Sequence, residues 1–122
     1  MPTLIACLST GKGTWSEVTR IINSQPWSRV FLITNEFGKD NFKPAENTEL
    51  IFLNPMTETS MMVEELKQQL QGKIFDFEVG LNIASGSGKE HMAVLEAVLE
   101  LGLNFRLITV NKGQVETLGL RR

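Results

Sequence analysis

The chain has 122 residues, of which 42% are hydrophobic and 21% charged, and its formal net charge is −2. This length suits one folded domain, and the slight negative charge excludes the overall basic footprint of a duplex-DNA binder. The single cysteine, Cys7, excludes an internal disulfide and a cysteine-based metal cluster. Because no run of 18 apolar residues and no signal-peptide pattern is present, we expect a cytoplasmic protein without membrane contact.

The first half of the chain predicts three strands and one helix. In residues 14–25 the apolar side chains recur on one helical face, and Thr14 with Glu17 predicts a capping box at the start of that helix. Pro26 ends it. The polar residues 35–47 predict a loop that is longer than usual. The short apolar runs that predict strands are residues 3–9, 28–34 and 49–54.

The second half alternates in the same way. Two helices are predicted, each followed by a glycine, Gly72 or Gly102, that suits a helix end. The predicted elements are a helix at 57–71, a strand at 77–84, a helix at 89–101, a strand at 104–110 and a short edge strand at 114–120.

Alternating strands and helices predict a single α/β domain over residues 1–122, Rossmann-like and doubly wound, with a mostly parallel sheet of five to six strands. The connection between the second and third strands lacks a clear helix, so one strand pair is expected to depart from this pattern. With right-handed crossovers, the first and fourth strands lie side by side. The loops at 9–14 and 84–89 then meet at the carboxyl ends of the strands, where open α/β sheets bind ligands.

These two loops combine glycines, hydroxyl groups and a lysine. Glycines let backbone N–H groups approach an anion closely, and each following helix directs the positive end of its dipole at the same place. The sequence therefore predicts a phosphate-binding site there. Its candidate residues are Ser9, Thr10, Gly11, Lys12 and Gly13 in the first loop, and Ser85, Gly86, Ser87, Gly88 and Lys89 in the second.

Other interpretations of the loops remain open. Ser87 and Glu90 also fit a capping box, so the glycines are equally suited to tight turns in a plain interaction module. The second loop is not a Walker A loop, because Ile83 stands where a glycine is required and Glu90 follows the lysine. The first loop has Ser16 where a dinucleotide fingerprint needs its third glycine. We therefore predict no cofactor, and no residue cluster with metal-ligand spacing is present.

The hydroxyl-bearing turn after the first strand, together with residues 82–110, is similar to the CARF family, the CRISPR-associated Rossmann-fold domains. Members typically carry a Ser/Thr-rich end of the first strand and, after the fourth, a small-residue loop that often resembles Thr-Gly-Gly-Thr-Lys-x-Met. Here that loop is Ser85-Gly-Ser-Gly-Lys89-Glu-His-Met92, with Ser and Gly at some family positions.

The resemblance implies a homodimeric sensor whose two clefts join and bind cyclic oligoadenylate, usually the tetra-adenylate. Ser9, Thr10, Gly11 and Lys12 would then meet one part of the ring, and Ser85 to Lys89 its phosphates and ribose oxygens. Some members cleave the ring without a metal, through attack of the ribose 2′-OH that leaves a 2′,3′-cyclic phosphate. In that case Lys89 would stabilise the phosphorane, and Ser9 or Thr10 would orient the ribose. Binding and cleavage both stay open, as does a nucleotide- or small-anion-binding regulatory domain unrelated to CRISPR.

The helix at 89–101 is apolar around most of its circumference. Its second apolar face, with Val94, Ala97 and Leu101, predicts a subunit interface, the alternative being cover by neighbouring elements of the same chain.

Cys7 is expected in the core, without a redox role. Trp15 is expected in the core, with stacking on an adenine as the alternative. His91 is expected to be solvated or to cap the helix, with ligand contact or proton transfer as the alternative. In the long loop, Lys39, Phe42 and Lys43 either cover a nucleotide ligand or belong to a solvated mobile loop.

Overall fold

A computed structural model describes residues 2–9 and 12–119, with backbone alone for Lys12 and Gly13. Within these ranges the chain forms six strands and four helices that alternate up to the final hairpin. The strands are β1 (Thr3–Leu8), β2 (Arg29–Thr34), β3 (Thr48–Phe52), β4 (Glu78–Asn82), β5 (Asn104–Asn111) and β6 (Gln114–Thr117). The helices are α1 (Lys12–Asn23), α2 (Glu36–Asn41), α3 (Thr59–Leu70) and α4 (Gly88–Glu100).

The strands form one six-stranded sheet in the order β3-β2-β1-β4-β5-β6. All neighbouring strands are parallel except β5 and β6, which form an antiparallel hairpin. The predicted α/β class and mostly parallel sheet are therefore confirmed, and this order is compatible with a Rossmann-like fold. The predicted adjacency of the first and fourth strands is also confirmed, with Thr3 of β1 aligned with Val79 of β4.

The core lies on both faces of the sheet, as expected for strands that are apolar throughout. Every residue of β1 is buried. On one face, side chains of α3 and α4 pack against strand residues that include Ile5, Phe31 and Leu81. Side chains of α1, including Val18 and Ile21, cover the other face. No helix among residues 2–9 and 12–119 is long and apolar enough to span a bilayer.

The predicted long loop after β2 is wrong in part, because it contains the short helix α2. Asn35 caps this helix by accepting a hydrogen bond from the Gly38 N–H group (3.0 Å). Gly38 is buried against β1 and β2, where an added Cβ would overlap the Thr34 hydroxyl and lie 2.8 Å from the Leu8 carbonyl oxygen. The connection therefore does carry a helix, and β2 and β3 pair in parallel like the other inner strands.

The predicted capping box at Thr14 and Glu17 is wrong. Because α1 begins at Lys12, Thr14 lies inside its first turn rather than at its N-cap. The Glu17 carboxylate instead accepts a hydrogen bond from the side chain of Asn82 (3.0 Å). By contrast, the capping box that opens α4 is confirmed, with Ser87 as its N-cap.

The predicted subunit interface on α4 is also wrong. Val94 and Ala97 are buried within the chain, because α3 packs beside α4 and contributes Met62 and Leu66 to the same core. Leu101, the third residue of that face, is half-buried against this core. The alternative interpretation, cover by a neighbouring element of the same chain, therefore holds for this face.

Candidate functional site

The loops after β1 and β4 meet at the carboxyl edge of the sheet. The Ser9 N–H group donates a hydrogen bond to the Ser85 hydroxyl oxygen (3.0 Å), and both residues are almost fully buried. The structure thus brings together one predicted site residue from each loop. Thr10 and Gly11 lie outside the described residues, and Lys12 and Gly13 are described only as the backbone that starts α1. We use the word crevice for the surface at which Ser9 meets the loop of Ser85 and the N-terminus of α4.

A carboxylate, that of Glu90, lies beneath the second loop. One of its oxygens accepts hydrogen bonds from the Ser87 N–H group (2.8 Å) and from the Ser9 hydroxyl (3.4 Å). The Glu90 side chain is itself 6% exposed. The carboxylate therefore occupies a backbone N–H group and a hydroxyl group, which are the donors that a glycine- and serine-rich loop would otherwise offer to a phosphate. Sequence analysis found Glu90 only as a capping residue, because its contact with Ser9 spans 81 positions of the chain.

Gly86 is required by this arrangement. Its φ of +100° lies in the left-handed region that L side chains rarely adopt. An added Cβ would also lie 3.1 Å from the Glu90 carboxylate and 3.2 Å from the Ser9 hydroxyl oxygen. In the described structure this glycine lets the second loop close over Glu90.

Two aromatic side chains hold the loops from either side. The His91 Nε2–H group donates to the Ser85 carbonyl oxygen (2.8 Å). The Trp15 Nε1–H group donates to the Ser9 carbonyl oxygen (3.1 Å), and its ring packs against Phe37 and Phe42. The structural alternatives for His91 and Trp15 are therefore the ones that the structure supports. Phe42, expected either at a ligand or in a solvated mobile loop, instead packs against Trp15. Each loop is fixed by contacts from a following helix.

Asn82, the last residue of β4, is a site residue that sequence analysis missed. Its side-chain amide donates to the Ile108 carbonyl oxygen (2.7 Å) and to Glu17 (3.0 Å), and its oxygen accepts from the Ala84 N–H group (3.2 Å). It thereby fixes the point at which β4 turns into the second loop. The sequence signal was a polar side chain that follows the buried residues 79–81.

The groups that remain for a ligand lie on the first turn of α4. Ser87 and Gly88 are exposed, and the N–H groups of Gly88 and Lys89 have no acceptor within an α-helix at this position. The Lys89 ammonium donates to the Pro55 carbonyl oxygen (3.1 Å), so its side chain crosses to the loop between β3 and α3. This is an exposed hydrogen bond that an anionic ligand can replace. One cation and two N–H groups at a helix N-terminus suit a phosphate.

A cavity of about 280 Å³ lies beside Pro55 at the carboxyl ends of β2 and β3. Phe37 and Phe52 contribute ring surface that is 43% and 41% exposed, and the Lys39 ammonium lies 5.7 Å from the Phe52 ring centre. Such a mixture of aromatic faces and polar groups is typical of small-molecule sites. The lining residues are Asn35, Glu36, Phe37, Phe52, Asn54 and Pro55.

Cys7 is a core residue, as favoured from the sequence, and only 1% of it is exposed. Burial, with a smaller contribution from the nearby Glu90 charge, raises the pKa of its thiol to about 12. The thiol therefore stays protonated at neutral pH and is a poor nucleophile. Among the residues that the structure describes, no group of three His, Cys, Asp or Glu side chains is arranged to hold a metal ion.

Comparison with protein-family models gives no match, and comparison with curated proteins gives none either. The resemblance to CARF domains therefore stays a prediction from the quoted motifs. What the structure adds is the strand order and the geometry of the two loops.

Proposed function

We propose that this chain is a CRISPR-associated sensor of the CARF type that binds a cyclic oligoadenylate, the tetra-adenylate by its resemblance, in a cleft across a homodimer. One observation carries the proposal. The N-terminus of α4 lies beside the loops of two adjacent parallel strands, and the Lys89 side chain extends from its first turn to the Pro55 carbonyl oxygen. This is the position at which α/β sheets of this kind bind ligands. The helix N-terminus and Lys89 contribute positive charge there, and the buried Glu90 carboxylate offsets part of it.

In this proposal a phosphate group accepts hydrogen bonds from the N–H groups of Gly88 and Lys89. The Lys89 ammonium leaves the Pro55 carbonyl and pairs with the phosphate. Ser9 and Ser85 have a different role from the one that the resemblance implies. Because both are buried and bonded to each other or to Glu90, they hold the two loops in register rather than contact the ring.

The cavity beside Pro55 supplies a place for a base of the same ligand. Phe37 and Phe52 offer faces on which a base can stack, an interaction worth about 1–3 kcal/mol per base. The side-chain oxygens of Asn35 and Asn54 accept hydrogen bonds from backbone N–H groups of their own turns. Their side-chain amide N–H groups are the donors that would meet the nitrogens of a base. A cavity of about 280 Å³ is large enough for a base but not for a whole ring.

A cyclic ligand with two-fold symmetry favours a symmetric homodimer, since each subunit offers the same groups to half of the ring. With Val94 and Ala97 buried inside the chain, the dimer contact has to use another surface. Met56, in the β3–α3 connection, and Met92, in the second turn of α4, are 86% and 60% exposed and are candidates for this contact.

The test is titration calorimetry of the purified chain with cyclic tetra-adenylate in EDTA, with chromatography of the ligand afterwards. The proposal predicts one ring per two chains, and a loss of about 1–3 kcal/mol of binding free energy in Lys89→Ala. Lys73→Ala is the matched control, because it removes the same charge at the opposite edge, where Lys73 pairs with Glu49 (2.7 Å). Equal losses in both variants would mean that Lys89 acts only through net charge.

The same experiment separates the remaining functions. Linear products formed in EDTA would make the protein a metal-independent ring nuclease, with Lys89 beside the reacting phosphate. An unchanged ring would make it a sensor. Absence of ring binding, together with binding of one adenosine monophosphate per chain, would contradict the proposal and favour the nucleotide-binding regulatory domain.

A further inference from the structure

Two phenylalanines of the α3–β4 connection are almost fully exposed. Phe75 is 85% and Phe77 89% exposed, at the amino edge of the sheet, opposite the crevice. The backbone around them is fixed, because Ile74 packs on the core and the Asn104 N–H group donates to the Phe77 carbonyl oxygen (3.0 Å). We call residues 75–77 the Phe loop. Exposed aromatic surface of this size on fixed backbone is typical of an interaction site.

A cavity of about 270 Å³ lies next to the Phe loop, between the ends of α3 and α4. Four of its seven lining residues are aliphatic, and one of them, Ile74, directly precedes Phe75 in the chain. The same surface therefore presents a projecting ring and a hollow. The lining residues are Leu70, Gln71, Gly72, Ile74, Glu100, Leu101 and Leu103.

The described charges around this surface include no unpaired basic side chain, and Asp76, in the Phe loop itself, adds a negative charge. Each basic side chain near the Phe loop or the cavity has an acidic partner within 4 Å, so no excess of positive charge is present among these described residues. Binding to an anionic membrane or to nucleic acid requires such an excess. The pairs are Lys67 with Glu100, Lys73 with Glu49, and Arg106 with Glu78.

We propose that the Phe loop and the adjacent cavity form an interface with a second copy of this chain, in which Phe75 of each copy enters the cavity of the other. A two-fold interface needs a patch that complements itself, and a ring beside a hollow meets that requirement. A buried phenylalanine removes about 150–250 Å² from solvent, so the four rings of two copies supply about 600–1,000 Å². A standard interface buries about 1,200–2,000 Å² in total, so the rings provide roughly half of it.

This interface does not depend on the proposed function. It lies at the amino edge, whereas the crevice lies at the carboxyl edge, so a dimer formed here leaves both crevices open. If ligand binding joins two crevices as well, the two contacts together produce an assembly larger than a dimer. The interface is therefore tested without nucleotide, and its failure leaves the ligand experiment unaffected.

The experiment is measurement of molar mass by light scattering and sedimentation of the nucleotide-free chain at micromolar to submillimolar concentration. We expect at least twice the mass of one chain for the wild type and half of the wild-type mass for the double variant Phe75→Ser/Phe77→Ser. Gln71→Trp, at the exposed rim of the cavity, is expected to lower the mass in the same way by filling the hollow. The control Met61→Ser/Leu118→Ser, on other exposed apolar residues, should keep the wild-type mass.

Two results would overturn the proposal. One is a wild-type chain that stays monomeric over the whole concentration range. The other is an unchanged mass in both the Phe75→Ser/Phe77→Ser variant and Gln71→Trp. All substituted side chains are exposed in the isolated chain, so circular dichroism is expected to show the wild-type secondary structure in each variant.

Discussion

The carboxylate of Glu90 offers a direct test of how the two loops are held. Replacing Glu90 by Ala removes the acceptor of the Ser87 N–H group and of the Ser9 hydroxyl, both at the crevice. It also removes one half of the capping box of α4. The variant should therefore destabilise the fold and loosen the site together.

The expected loss follows from the two bonds and the burial of the side chain. A hydrogen bond to a charged acceptor is worth about 1.5–3 kcal/mol, and the one from Ser87 is short, at 2.8 Å. The bond from Ser9, at 3.4 Å, is near the limit for a hydrogen bond and adds little. Relief of the buried charge offsets part of this loss. We expect Glu90→Ala to lower the free energy of unfolding by about 2–3 kcal/mol.

Urea unfolding followed by circular dichroism measures this change. With a slope of about 1–3 kcal/mol per M, the midpoint should fall by roughly 1 M or more. Glu90→Gln keeps an oxygen acceptor in the same place and should cost about 1 kcal/mol. Glu96→Ala, on the exposed face of the same helix, is the control and should stay within about 0.5 kcal/mol of wild type. A Glu90→Ala variant as stable as this control would refute the role given to the carboxylate.

Two further changes test the core. Gly80→Ala places a Cβ 2.5 Å from the Ile108 side chain and 2.9 Å from the Trp27 ring, so differential scanning calorimetry should show a loss of about 1–3 kcal/mol. The Cβ added by Gly88→Ala meets no atom within 4 Å, so this variant should not destabilise the protein. An equal loss of stability in Gly80→Ala and Gly88→Ala would contradict the packing described around Gly80. The raised pKa of Cys7 predicts no alkylation by iodoacetamide at pH 8.5 in the native state, and rapid alkylation in guanidinium. Because the folded thiol keeps its proton from its usual pKa of 9.0 up to about 12, unfolding should become easier as pH rises through that range, and Cys7→Ala should reduce this dependence.

The parts of the fold that were predictable are those that local pattern determines. The apolar runs of β1 and β4 and the handedness of crossovers are enough to set these strands side by side. The helix α2 was not predictable in the same way, because its six residues carry no apolar repeat and include Gly38. Its stability comes from the Asn35 cap and from the fit of Gly38 against β1 and β2, contacts that appear only after the sheet has formed.

The meeting of the two loops was predictable, but the contacts of their residues were not. Strand order alone brings Ser9 and Ser85 together. Glu90 and His91 form hydrogen bonds with groups of the two loops and so determine which loop donors stay open to a ligand. These contacts depend on the folded loops, and no regular spacing of residues in the sequence reveals them. The exposure of Phe75 and Phe77 shows the same limit, since an apolar residue in a sequence does not reveal whether anything covers it.

The carboxylate beneath the second loop has a consequence for selectivity. A simple anion that enters the crevice meets a negative charge already bonded to the Ser87 N–H group, and it gains little in exchange. Inorganic phosphate and chloride, which are always present in a cell, should therefore leave the crevice unoccupied. A larger ligand that also gains contacts outside the loop, such as stacking on Phe52, can overcome this repulsion. Under the proposed function, a carboxylate in this position would keep background occupancy low and so let a scarce ligand compete with abundant anions.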